Sequence, residues 1–273
     1  MSSPSRAARR QPEDLSVLCH RPSPLLFATE PSRAVLELGL TAALRPLLAN
    51  TPGGDGHPVI VLPGFTAADN STLYLRHFLR RRGYFVHGWR LGINLGPTDR
   101  ILKGLQERFA AVSKQHGRKC SLVGWSLGGI FAREIARTQP EHVRQVITLG
   151  SPFQLIRLRD TNAAPLYWMM SLRHSPTAPT VRDLRHGRPP LEVPSTAVYT
   201  RGDGVVSWQA CQDGQGPHHE SIEVLGSHCG LGHNPTVLRV VADRLALPED
   251  GWKPYPRSTL ASCLRDKSFL GRR

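Results

Sequence analysis

Three residues are of the types, and stand in the order, that would make a serine hydroxyl reactive. Ser126 lies in Gly124-Trp125-Ser126-Leu127-Gly128-Gly129, Asp203 in Gly202-Asp203-Gly204, and His228 in Gly226-Ser227-His228. A serine hydroxyl is a weak nucleophile at its own pKa. An imidazole that takes its proton activates it, and a carboxylate fixes the imidazole tautomer. In this reading His228 is the base and Asp203 its orienting partner. The glycines around Ser126 suit a sharp turn in which a strand and a helix pass closely. Each residue has rivals. Asp213 and Asp160 also carry carboxylates but follow no clear strand, and His233 sits beside a helix cap. His218, His219, His228 and His233, taken with Cys211 or Cys229, match no zinc spacing, so no metal site is expected.

The segments around these residues explain how they could meet. Lys119-Cys120-Ser121-Leu122-Val123 reads as a buried strand and 130–137 as a helix, so Ser126 falls at a strand-to-helix turn. Val59-Ile60-Val61-Leu62 is a continuous apolar run ending in Pro63-Gly64-Phe65, as expected of a central parallel strand. The chain then alternates: helix 71–82, strand 84–89, helix 99–116, the Ser126 strand and helix, and strand 143–149. Strands at 195–200 and 221–225 and a helix at 235–246 follow. This predicts an α/β fold, a mostly parallel, doubly wound sheet of about six to eight strands flanked by helices. Asp203 and His228 each lie just past a predicted strand end. Strand ends of such a sheet open onto one crevice, where distant segments meet.

The alternation breaks at Phe153. From about 153 to 193 a proline-rich insert reads as a small cap, and its residues Tyr167, Trp168 and Met169, with Trp125, are candidates to line an apolar pocket. Residues 1–30, rich in Ser, Pro and Arg, read as a mobile arm, 31–247 as the folded domain, and 248–273 as a loosely packed tail. Ala34, Val35, Leu38, Leu40, Ala43, Leu44, Leu47 and Leu48 are spaced for one amphipathic helix over 31–49. The loop Asn94-Leu95-Gly96-Pro97 falls at the same edge of the sheet, without an evident role.

The 273 residues carry 35 Lys plus Arg against 21 Asp plus Glu, a net charge of +14. Arg76, Arg80, Arg81, Arg82 and Arg90 form the densest group. Such charge allows peripheral contact with an anionic membrane, but no nucleic-acid motif accompanies it, and no nucleic-acid partner is expected. No apolar run reaches a membrane-spanning length, and no signal-like segment opens the chain. The five cysteines are odd in number and in no C-x-x-C spacing, which fits free thiols in a reducing, cytoplasmic setting.

As a set, Val61-Leu62-Pro63-Gly64-Phe65, the Ser126 turn, Thr148-Leu149-Gly150-Ser151-Pro152, Asp203-Gly204-Val205-Val206 and Ser227-His228 resemble an α/β-hydrolase of the lipase/esterase type. The resemblance spans about 55 to 245. It implies an eight-stranded sheet, a movable cap, no cofactor, the chain order Ser, Asp, His, and an oxyanion hole from the Phe65 and Leu127 amides. The expected substrate is a small-molecule ester or lipid, cleaved through an acyl-Ser126 intermediate. An acyltransferase using the same three residues and a non-catalytic binding protein of the same fold are the alternatives. The chain departs from the family in showing six clear strands, with the first antiparallel pair missing or replaced by the 31–49 helix. It also carries Trp125 where lipases often have His. The oligomeric state is not legible.

Overall fold

The computed structural model describes residues 19–155, 157–176, 189–214 and 216–256. The apolar runs form six strands: β1 (Pro58–Leu62), β2 (Phe85–Gly88), β3 (Cys120–Trp125), β4 (Val143–Leu149), β5 (Ser195–Tyr199) and β6 (His219–Glu223). They make one sheet of order β2-β1-β3-β4-β5-β6, with every neighbouring pair parallel. The last strand begins two residues earlier than the sequence suggests.

Alternation along β1 sorts the core into two layers. Val59 and Val61 pack with α4 (Leu73–Arg81) and α8 (Pro235–Leu245), whereas Ile60 and Leu62 pack with α5 (Asp99–His116) and α6 (Leu127–Thr138). The predicted helices 99–116 and 130–137 are thus found, the first with its predicted bounds. Thr98 caps α5, its hydroxyl accepting from the Ile101 N–H, and Gly117 closes it in the left-handed region at φ +58°.

The expectation for the first thirty residues needs correction. The arm expected over 1–30 is structured from residue 19 on. Pro24–Ala28 form α1, and α2 begins at Glu30, running Glu30–Ala43, followed by α3 (Arg45–Leu48). Of the expected tail, most of residues 248–256 are exposed, but Tyr255 lies against the core and its N–H donates to Glu220 Oε2 at 2.7 Å. Residues 1–18 and 257–273 lie outside the described residues.

The helix expected over 31–49 is broken at Leu44, and it is turned the other way round. Val35 and Leu36 are 69 % and 72 % exposed, and Leu38, Leu40 and Leu47 are exposed as well. The side facing the protein carries Glu30, Arg33, Glu37 and Thr41, which spend their polar groups on the loops after β5 and β6. Polar partners there outweigh the apolar stripe that the spacing alone makes conspicuous. In the cap, the described part holds α7 (Ala164–Ser171), tied down by a Thr161–Val206 bridge. Residues 177–188 of the expected insert are outside the described set.

Candidate active site

Ser126 sits between β3 and α6 at φ +52°, ψ −122°, a strained conformation for a residue with a side chain. The turn is possible because its neighbours lack side chains. A Cβ on Gly124 would collide with the Gly128–Gly129 backbone, and one on Gly128 with the carbonyls of Leu62 and Pro63. The Ser126 N–H donates to the Leu149 carbonyl at 2.8 Å, which pins the turn to the end of β4.

The loops after β5 and β6 bring Asp203 and His228 together. His228 Nδ1 donates to Asp203 Oδ2 at 2.6 Å, and both side chains are buried. The other carboxylate oxygen of Asp203 accepts from the N–H groups of Val205 and Val206, at 2.8 and 2.7 Å. Asp203 therefore cannot swing without losing two backbone bonds. Burial alone would lower the His228 pKa. The charge and hydrogen bond of Asp203, with the charge of Glu30, outweigh it and hold the pKa above the ordinary histidine value. The imidazole packs against Gly150, the residue after the carbonyl that holds Ser126. Among the described residues the Ser126 hydroxyl is hydrogen-bonded to no side chain; it lines a cavity of about 620 Å³. Hydrogen bonds from a nucleophile to its base are often long without substrate.

Phe65 and Leu127 line the same cavity beside Ser126. Leu127 is the first residue of α6, whose N-terminal amides have no intrahelical acceptor. Among the described residues neither the Phe65 nor the Leu127 N–H donates to a backbone carbonyl. Gly64 brings the Phe65 loop against the nucleophile: a Cβ there would lie 3.2 Å from that of Ser126. Asn94, fully buried, holds this loop. Its Nδ2 donates to the Pro63 carbonyl at 2.9 Å, its own carbonyl accepts from Thr66 N–H at 2.7 Å, and its N–H donates to the Ala67 carbonyl at 2.8 Å. This is the role that the sequence left blank for the 94–97 loop. Only the position of that loop at the active edge hinted at it.

The expected pocket residues divide. Tyr167 lines the cavity, its ring 5.4 Å from that of Phe65. Trp125, Trp168 and Met169 do not. Trp125 turns the other way and donates from Nε1 to the His228 carbonyl at 3.1 Å, so it braces the imidazole loop. Trp168 is 70 % exposed on the outer side of α7, and Met169 is also exposed. The cavity wall is instead the face of α6 formed by Leu127, Ile130, Phe131, Glu134, Ile135 and Thr138. Their spacing places them along one side of a helix.

The rivals have other occupations. His233 directs Nε2 at the Ala34 carbonyl, 2.8 Å away. Asp213 belongs to a second cluster of serine, aspartate and histidine, in which Ser195 Oγ donates to Asp213 Oδ2 at 2.8 Å and His219 Nδ1 meets Asp213 Oδ1 at 3.2 Å. That cluster is not arranged for nucleophilic chemistry. Ser195 bonds the carboxylate rather than the imidazole, the second His219 nitrogen meets the Leu191 carbonyl, and Arg133 pairs with Asp213 at 2.5 Å. No imidazole nitrogen remains there to receive a proton. Among the described residues no group of three or more His, Cys, Asp or Glu is placed to hold a metal ion.

Comparison with known proteins bears on the fold. No family model matches the chain. Among curated proteins it is 46 % identical over 54 residues to the pimeloyl-[acyl-carrier protein] methyl ester esterase of Aeromonas salmonicida, 20 % of each chain. It is 31 % identical over 98 residues to that of Shewanella woodyi, covering 36 % of this chain and 37 % of the relative. The chain thus spans between about a fifth and two fifths of the length of these relatives. Among solved structures, Aspergillus fumigatus lipase B superposes with a TM-score of 0.59 at 16 % identity, over 79 % of this chain and 58 % of that one. The mature Bacillus licheniformis lipase BlEst2 gives 0.53 at 16 % identity, over 72 % and 95 %. At such identities the likeness is one of fold.

Proposed function

We propose that this chain, an α/β-hydrolase by fold, is a serine hydrolase of carboxylic esters. The observation that carries the reading is the buried Asp203–His228 pair, packed on the Gly150 that follows the carbonyl holding Ser126, with that strained serine opening onto a mostly apolar cavity. Partial identity to named methyl ester esterases supports the type of bond.

Each step follows from the groups present. Ser126 Oγ attacks the ester carbonyl while His228 Nε2 takes its proton, and Asp203 stabilises the imidazolium. The tetrahedral oxyanion accepts hydrogen bonds from the Phe65 and Leu127 amides, helped by the N-terminus of α6. The C–O bond to the alcohol breaks, and His228 returns the proton to the departing alkoxide. Water, deprotonated by the same imidazole, attacks the acyl-Ser126 ester; the bond to Oγ breaks, His228 returns the proton to Ser126, and the acid is released. The apolar wall of α6 receives the acyl part. Exposed Trp168 and Leu172 on the cap, together with the net positive charge, support peripheral contact with a lipid surface. The four described cysteines are free, which supports a cytoplasmic setting.

The test is turnover of p-nitrophenyl esters of graded acyl length. Ser126→Ala and His228→Ala are each expected to lose at least about 10³-fold in kcat, while His233→Ala retains most of the activity. Full activity in Ser126→Ala would end the proposal.

A further inference from the structure

We propose that Glu30 is a positioning residue for this site, one buried carboxylate that holds the Asp203 loop and the His228 loop in mutual register. The inference rests on the roles given above to Ser126, Asp203 and His228.

Glu30 opens α2 and is 2 % exposed. Its Oε1 accepts from the Gly204 N–H at 2.7 Å and from the His228 N–H at 3.1 Å, and its Oε2 accepts from the Cys229 N–H at 2.8 Å. One side chain therefore grips the residue after Asp203, the histidine itself, and the residue after it. Arg33, one turn on, donates to Glu30 Oε1 at 2.9 Å and to the Gly202 carbonyl at 2.7 Å, so the Asp203 loop is held on both sides. The approach is tight: a Cβ on Gly204 would strike the Leu26 backbone. Burying a carboxylate is costly unless it is paired and hydrogen-bonded. α2 is also anchored elsewhere, Thr41 donating to the His233 carbonyl at 2.6 Å. What Glu30 adds is contact with the backbone of both loops that carry the charge-transfer pair. Among the described residues, the charged groups that meet His228 are Asp203, bonded to its ring, and Glu30, bonded to its N–H, with Arg33 paired to Glu30. Glu37 reaches the neighbouring Ser227 N–H. The Glu30 charge also favours the imidazolium.

The experiment compares Glu30→Gln, Arg33→Gln and Thr41→Val in the full chain, by ester kinetics across pH and by NMR titration of the His228 ring. Glutamine sets an NH2 group against one of the N–H donors and removes the charge. Glu30→Gln is expected to lower kcat roughly ten- to a hundredfold, as small misplacements of reacting groups do, with KM within about twofold. Its acid limb and its His228 titration are expected to move to lower pH. Arg33→Gln is expected to move both upward, which keeps a readout if Glu30→Gln does not fold. Thr41→Val, which loosens the same helix, is expected to lower the melting temperature and leave the titration in place. The proposal is overturned if the titration in the two charge variants stays where it is in Thr41→Val. If wild-type protein turns over no ester and takes no fluorophosphonate, the hydrolase reading fails, and the NMR titration still decides the claim about Glu30.

Discussion

A serine held at φ +52° carries roughly 1–3 kcal/mol of backbone strain. The sheet and α6 hold it there only because Gly124 and Gly128 leave room. This explains why Ser126 was legible in the sequence: the small neighbours that the turn needs are themselves the signal. Asp203 and His228 were legible through their order and their places after predicted strands. The pocket residues were not. Trp125 shows apolar bulk and nothing of direction, and on a strand-to-helix turn a one-residue change of side reverses what a ring faces. The raised His228 pKa has a consequence for rate. The proposed mechanism needs the neutral imidazole, so activity is expected to fall as pH drops through the folded-state pKa. Because that pKa lies above the ordinary value of ~6.5, the acid limb of kcat/KM is expected above it. A profile that stays flat well below that pH would remove His228 from the role of base.

Among the elements, α2 departs most from what periodicity suggests. Its large apolar residues are Val35, Leu36, Leu38 and Leu40, so the stripe of Val35, Leu38 and Leu40 is the conspicuous one. The buried face is set by partners 160 to 200 residues away in the chain, which no local pattern records. The same limit applies to the strand β6, where buried His219 belongs to the ladder because Asp213 and the Leu191 carbonyl satisfy its ring. The cluster around Asp213 lies under the β5–β6 edge and is structural. Removing one partner of a buried ion pair leaves the other charge unpaired. Asp213→Ala is therefore expected to destabilise the protein by about 3–5 kcal/mol in urea unfolding, by stranding Arg133. Fluorophosphonate labelling at a temperature where the variant is still folded is expected to be kept. A loss below about 1 kcal/mol would show that the pair contributes little.

As a whole, the molecule gathers its chemistry at one edge of a parallel sheet. Segments near residues 30, 65, 126, 203 and 228 arrive there from different strands or, for Glu30, from the segment before β1. The alternation of apolar runs made the sheet legible, including its order of elements, because buried parallel strands have little choice of composition. The packing of Tyr255 and Glu30 was not legible, since the groups they bond lie far away in the chain. No helix among the described residues is long and apolar enough to cross a membrane. One hydroxyl among many must be the reactive one, and the buried Ser195 cluster makes an alternative explicit. The direct measurement is intact-mass and peptide mapping after reaction with a fluorophosphonate. One adduct per chain, on Ser126, strongly slowed in His228→Ala and unaffected in His233→Ala, is the expected result. An adduct on Ser195 or another serine, or none on folded protein, would contradict it.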